Sequence, residues 1–353
     1  MSKNGKGRVA LSVCLALSIS ACGGGGGGGG GGGFPILPVT TPPTSGSDTP
    51  QTETPVDSPA PPMVTTRSTY ALGDAEIAGM DLLSTELESP KFSGQRLFSL
   101  LPIFGAAPKL RGVYWSVDKT AYVHRLAPAS DAVDFSRLQA LGAEGYRVNS
   151  AARLILEPGA ARVLFSKDSA ANIKYEYADA GALPTKDTDK PEFLASLNKL
   201  GSNGYCGVEV GIDTTGGTPQ IRARVVREQP TTARCSFTLN PVAKSYEERV
   251  SHGNQLGADG KIFVMDVPGT TLESLYVQDS AQKTVFKHHL TKLELKGGAA
   301  IGLSDPEYQK TFIALLNEEG SKGATPRIIG VDEARSNIVF TTAYDCTGLL
   351  CGY

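Results

Sequence analysis

Histidine is scarce in this chain, at 4 of 353 residues, and tryptophan occurs once. So few histidines leave little material for a metal centre. His288 and His289 are adjacent, but neighbours on a strand point to opposite faces, so they do not chelate one ion and read as a surface pair. Excess charge is lacking too. The 34 Lys and Arg against 36 Asp and Glu leave no basic surplus to meet nucleic acid. After residue 22 no apolar stretch is long enough to cross a membrane as a helix. Gly-x-Ser-x-Gly, His-Glu-x-x-His and Walker patterns are missing. Asp187, Asp189, Asp213 and Asp279 are scattered without the spacing of a calcium loop. Gly216-Gly217 reads as a hairpin turn rather than a phosphate cradle. No residue is therefore nominated as catalytic, cofactor-binding or metal-ligating.

Glycine, by contrast, is abundant at 41 residues, and part of it is periodic. Residues 191–212, PEFLASLNKLGSNGYCGVEVGI, show the unit most clearly. Phe193, Leu194, Leu197 and Leu200 share one face of a helix. Pro191 suits the first helical turn. Gly201 stands where a left-handed C-cap is expected, and Gly204 ends the turn. The period then switches to two, with Cys206, Val208, Val210 and Ile212 on one side of a strand.

The Gly-x-x-Gly turn recurs at Gly142/Gly145, Gly201/Gly204, Gly257/Gly260 and Gly320/Gly323, at intervals of about sixty residues. The expected fold is α+β: about four β-α-β-β repeats with largely antiparallel sheets and one short helix each. The repeats are placed at 111–170, 171–230, 231–283 and 284–353, the last with a C-terminal tail. Residues 67–110 are read as a lead-in packed on the first repeat. One such unit alone would be marginally stable.

The N-terminal part has a different character. Lys3, Lys6 and Arg8 precede an apolar run over residues 9–19, too short to span a bilayer but suited to a secretory signal. The run ends in Ile19-Ser20-Ala21-Cys22. This resembles the lipobox of bacterial lipoproteins, with Ile19 where Leu is usual. The resemblance implies cleavage before Cys22 and a diacylglycerol thioether on it. With Gly23 rather than Asp next, it further implies the outer membrane, so that the lipid anchor makes the membrane the first partner. Residues 23–33 are all glycine, and 34–66 are rich in Pro, Thr and Ser, which reads as a disordered linker. Such a tether reaches about 35–40 Å, further where proline stiffens it.

The repeats resemble small uncharacterised bacterial domains with an L-x-x-L-G-x-x-G-[WY] signature. Leu197, Leu200, Gly201, Gly204 and Tyr205 carry it, as do Leu138, Leu141, Gly142, Gly145 and Tyr146. Lys261 and Ala324 stand where the later copies should have the aromatic. That resemblance implies a fold and no activity.

Six cysteines are present. Cys14 leaves with the signal and Cys22 takes the lipid. Cys206, Cys235, Cys346 and Cys351 remain, an even number in an oxidising compartment and without a CxxC pattern. The expected bridges are Cys206–Cys235, from two cysteines that each share a strand face with apolar residues, and Cys346–Cys351, close in sequence. Two buried free thiols at 206 and 235 are the competing reading. Arg222, Arg224 and Arg227 lie on one strand with Arg234 nearby, either a solvated face or a site for an anionic ligand.

Two functions follow as expectations. One is a non-enzymatic envelope lipoprotein that binds or scaffolds an envelope protein or glycan. The other is an envelope hydrolase of an unrecognised type, which needs a cleft where a Ser or Asp meets His124 or His252.

Overall fold

The structure, a computed structural model, describes residues 67–103, 109–117, 120–132, 134–149, 162–213, 220–332 and 334–351. Fifteen strands form five three-stranded antiparallel sheets. In chain order the elements are β1 (Ser68–Leu72), α1 (Met80–Glu88), β2 (Arg96–Ile103), β3 (Lys109–Val117), β4 (Tyr122–Pro128), α2 (Phe135–Ala143), β5 (Arg147–Val148), β6 (Arg162–Asp168), β7 (Lys174–Ala182) and α3 (Lys190–Gly201). There follow β8 (Gly207–Asp213), β9 (Gln220–Gln229), β10 (Cys235–Pro241), α4 (Tyr246–Ala258), β11 (Lys261–Val267), β12 (Glu273–Asp279), β13 (Val285–Glu294), α5 (Ala299–Ser304), α6 (Pro306–Ser321), β14 (Ala324–Val331) and β15 (Arg335–Tyr344).

Every sheet has the same order: first strand, third strand, second strand. The outer two run parallel to each other, so the chain needs a crossover between them, and the helix supplies it. The count of units is five, against about four expected. Residues 67–110 are no lead-in: they hold β1, α1 and β2, which β3 completes. The alternation at Val113, Trp115 and Val117 marks a strand but not which sheet it joins. It closes the first unit instead of opening the next. The fifth unit also departs from one helix per repeat, since α5 precedes α6.

The repeated glycines explain how one unit is joined to the next. An edge strand leaves a row of N–H and C=O groups unpaired. In four units an Asn or Gln on the helix clasps such a pair on the first strand of the following unit. Gln139 does so at Tyr177, Asn198 at Phe237 and Asn254 at His288, with each side-chain amide donating to the carbonyl and accepting from the N–H. Asn317 on α6 does the same at Tyr70, with bonds of 2.7 and 2.9 Å. Tyr70 lies on β1, so the last unit clasps the first and the units close into a ring.

Three residues after each amide comes the first glycine of the pair. A Cβ there would sit 2.4 Å from Tyr175 O at Gly142, 2.3 Å from Cys235 O at Gly201, 2.2 Å from Phe286 O at Gly257 and 2.4 Å from Ser68 O at Gly320. The first glycine thus lets the helix rest on the backbone of the next strand. Gly201 is the last residue of α3 and is not left-handed, contrary to the C-cap expectation. The left-handed residue is the second glycine, with φ of 89° at Gly145, 90° at Gly204, 77° at Gly260 and 83° at Gly323. The first unit keeps that glycine alone, as Gly94 at φ 82°. Glu88 and Lys91 stand where the amide and first glycine would fall. Its seam to the second unit is made instead by Tyr122 N–H donating to Gly94 O at 2.9 Å and by His124 on Gln95 O.

Apolar clusters fill every seam, and one of them serves two seams. Leu83, Leu87, Phe92 and Tyr114 of unit one pack with Leu164 of unit two. Leu138, Leu141 and Phe165 of unit two pack with Tyr177 and Val226 of unit three. A continuous cluster from Phe193 and Leu197 through Phe237 to Phe286 spans units three to five. Phe312, Leu316 and Phe340 of unit five meet Tyr70 and Val113 of unit one. Among the described residues no helix is long and apolar enough to cross a membrane.

Candidate functional site

The second strands of the first three units are linked by side chains. Asn149, just past β5, donates to Leu97 O of β2 at 3.0 Å, and Arg147 Nε donates to Glu209 Oε1 of β8 at 2.9 Å. First strands pack against the helix of the preceding unit, and the start of β4 joins the contacts among β2, β5 and β8. Here the chain gathers a polar cluster. Arg96 and Arg147 open β2 and β5, two residues after Gly94 and Gly145. Tyr122, Tyr175, His124 and Glu209 complete it.

Arg96 is distinctive within this cluster. Its guanidinium lies over the rings of Trp115 and Tyr122, at 5.8 and 6.0 Å from their centroids. Among the described residues it has no carboxylate within salt-bridge distance, whereas Arg147 and Glu209 are paired and mostly buried. Burial holds the Arg96 pKa below the ordinary arginine value, and Arg147 pushes the same way, while Tyr122, Tyr175 and Glu209 oppose the shift. Trp115 Nε1–H is buried with no acceptor. Glu228, whose carboxyl burial pushes up and Arg147 pulls down, lines an adjoining cavity of 220 Å³ with Asp279 and Gln282. The C-terminal segment 347–350 forms another wall of that cavity. Leu350 is held there by Arg327 of unit five, which donates to its carbonyl at 3.2 Å.

A larger cleft, 880 Å³, lies between the end of β7, the start of α3 and Pro268. Its Asp179 is committed to Arg222, and Ser196 donates to Ala180 O. No base stands beside that hydroxyl among the hydrogen bonds of the described residues.

The residues nominated from sequence fall out as follows. The structure joins Cys206 to Cys235 and Cys346 to Cys351, with Cα separations of 5.4 and 5.7 Å. Cys22, the leader, the linker and Gly216-Gly217 lie outside the described residues. The arginine strand is engaged within the fold: Arg222 pairs with Asp179, Arg227 pairs with Glu176 at 2.8 Å, and Arg224 donates to Ala132 O. Arg234 is exposed and bonds Ala233 O. Asp187 accepts from Thr271, Asp279 caps Arg234 N–H, and Asp213 lies 3.9 Å from Arg222. No cluster of metal-ligating side chains occurs among the described residues.

His124 does meet a serine: its Nδ1 lies 2.9 Å from Ser166 Oγ. His124 and Ser166 are direct partners in the β4–β6 register. At the same place in unit five, His288 Nδ1 lies 2.8 Å from Thr341 Oγ1 across β13–β15. The pair is thus a repeated packing device, and Ser166 is buried. His252 sits on α4, 3.9 Å from Glu248 and well exposed. His289 is 2.9 Å from Glu319 and stacks on Phe340, on the opposite strand face from His288.

His288 offers a stability test. Burial, with Arg327 and His289 adding to it, lowers its pKa from 6.5 to about 4. Its Nε2 is buried without a partner, so a proton there has nothing to bond. Between those pH values the unfolded chain binds a proton that the folded chain does not. Stability is therefore complete above pH 6.5 and falls as pH drops from 6.5 towards 4, by on the order of 2–3 kcal/mol. His288→Phe places the residue that Phe237 supplies in unit four and should flatten that part of the profile. Urea midpoints from pH 7.5 to 4.5 check this, and parallel profiles for the two proteins would refute it.

Compared with known protein families, with curated proteins and with solved structures, the chain matches none. Sequence reading missed Arg96 and Arg147. The available signal was Gly-x-Arg in two successive units, Gly94-Gln95-Arg96 and Gly145-Tyr146-Arg147.

Proposed function

We propose that this chain is an extracytoplasmic binding module, tethered to a membrane through a lipid on Cys22, that takes its ligand at the middle of the ring beside Arg96. The observation that carries the reading is Arg96 itself, a partly buried cation without a carboxylate partner among the described residues. A half-buried guanidinium with no carboxylate beside it is a ready partner for an anion. A fold that needed only a filled centre would be served better by an apolar side chain there. The two disulfides support an oxidising compartment. The basic leader, the Cys22 motif and the glycine tract support the tether, the last by giving the ring freedom to move off the bilayer. The partner is then an envelope protein or glycan that presents its ligand to the ring.

The tether has a direct test. A fatty-acid analogue fed to cells should label the wild-type protein, and Cys22→Ala should be unlabelled and released from membranes. Continued labelling and membrane retention of the variant would refute the lipid reading.

A further inference from the structure

The cluster at the ring centre also says what the ligand must carry. Arg96 and Arg147 occupy equivalent positions of adjacent units, each on the first residue of a second strand. Three bonds fix the start of β2: Tyr122 N–H of β4 to Gly94 O, His124 Nε2 of β4 to Gln95 O at 2.6 Å, and Asn149 Nδ2, just past β5, to Leu97 O. These are backbone carbonyl contacts on both sides of Arg96, so its position does not depend on a salt bridge. Two aromatic rings then flank the guanidinium, with centroids 5.8 and 6.0 Å away. A guanidinium that spends no N–H on a carboxylate can meet an oxyanion with two parallel bonds.

The close carboxylate pairing in the cluster is made by Arg147, not by Arg96. Glu209 is paired with Arg147, and Glu228, which also feels Arg147, lies near Gly348. Arg96 is the arginine of the cluster with no carboxylate within salt-bridge distance among the described residues. Resting on the reading of the ring centre as the ligand site, we infer that the ligand carries a carboxylate or a phosphate, received by Arg96 with Arg147 behind it. Both are oxyanions that fit the guanidinium fork, so the separate anions must be compared directly.

The single tryptophan makes the test specific, because Trp115 is the ring beneath Arg96. The full chain, in detergent with its disulfides intact, is titrated with sodium phosphate, with succinate and with glucose as an uncharged sugar, at constant ionic strength, while Trp115 fluorescence is followed. A saturable change is expected with one or both. Arg96→Gln should weaken it about tenfold or more, the worth of one lost charge-assisted contact. Arg234→Gln, altered at an exposed arginine, should bind as the wild type does. Arg96→Lys keeps the charge without the fork and should weaken binding several-fold, which preserves the test if the Gln variant does not fold. Saturation by phosphate alone assigns a phosphorylated ligand, and by succinate alone a carboxylated one. Equal binding by Arg96→Gln and wild type overturns the inference. A response to uncharged sugars but to neither anion overturns the anionic class and leaves the ring-centre reading standing. Silence to all three removes both.

Discussion

Gly320→Ala is expected to open the ring at the contact between its last and first units and to cost about 3 kcal/mol. The added Cβ would lie 2.4 Å from Ser68 O and 3.1 Å from Ser68 C, with Tyr70 Cε2 at 3.2 Å. Two of these three atoms are backbone, so no rotamer change relieves the clash. The strand cannot simply back away either. Asn317, one turn earlier, clasps both Tyr70 N–H and Tyr70 O. Moving β1 to admit a methyl group lengthens both bonds and loosens Phe312 and Leu316 from Tyr70. For a chain of this size the loss corresponds to a fall in melting temperature of roughly 6–10 °C. Ser321→Ala is the control, since that side chain is exposed and bonds only its own helix at Glu318 O. Trp115 stacks on Tyr70 at 6.5 Å, so its fluorescence reports this contact during urea unfolding. A Gly320→Ala midpoint equal to that of Ser321→Ala would show that the helix does not rest on the strand as described.

The repeat was legible because the seam needs the same residues wherever it is made in the same way. A helix that lies on a backbone carbonyl must be glycine at the point of contact, and four of the five seams leave that mark. The first unit escaped because its seam is built otherwise. With Glu88 and Lys91 in the two key positions and only Gly94 retained, nothing periodic remains to be found. The reason for Gly201 was misread for a related cause. A glycine at a helix end signals either positive φ or close approach, and the strand that approaches, β10, lies more than thirty residues away in sequence. The amides at Gln139, Asn198, Asn254 and Asn317 were visible but look like surface polar residues until the edge strand they serve is known.

The ring centre was still less accessible from sequence. Arg96 and Arg147 are far apart along the chain, and each follows a strand-opening turn where a solvated arginine is ordinary. Their meaning comes from the side-chain contacts that link the second strands of the first three units. Conversely, the arginines of β9 looked promising as a linear cluster and are engaged within the fold, two of them by Asp179 and Glu176 of β7, the strand beside them. Charge patterning along one strand cannot report what its neighbour carries.

Removing the Cys206–Cys235 bridge should be the other large loss, at roughly 3–4 kcal/mol, from the chain entropy of a loop whose ends are 29 residues apart. The bridge joins the start of the second strand of unit three to the first residue of β10 in unit four. It therefore braces the seam at which Gly201 rests on Cys235 O. Both cysteines lie in the shared apolar cluster with Phe237, Val225 and Leu197, so alanine at both positions leaves a small cavity rather than an exposed defect. The Cys346–Cys351 bridge spans only 5 residues, and its removal should cost about 2 kcal/mol. The order of the two double alanine variants in urea midpoint is thus fixed in advance: wild type, then 346/351, then 206/235. A reversed order would mean that the tail, rather than the third seam, is where the ring is braced. A second reading comes from combining changes. Gly201→Ala and loss of the Cys206–Cys235 bridge act on one contact, so together they should cost less than the sum of the two. Gly320→Ala acts on the far seam and should add to the bridge variant almost fully. Full additivity in both combinations would show that the bridge and the Gly201 contact stabilise the ring independently, against the shared-seam account.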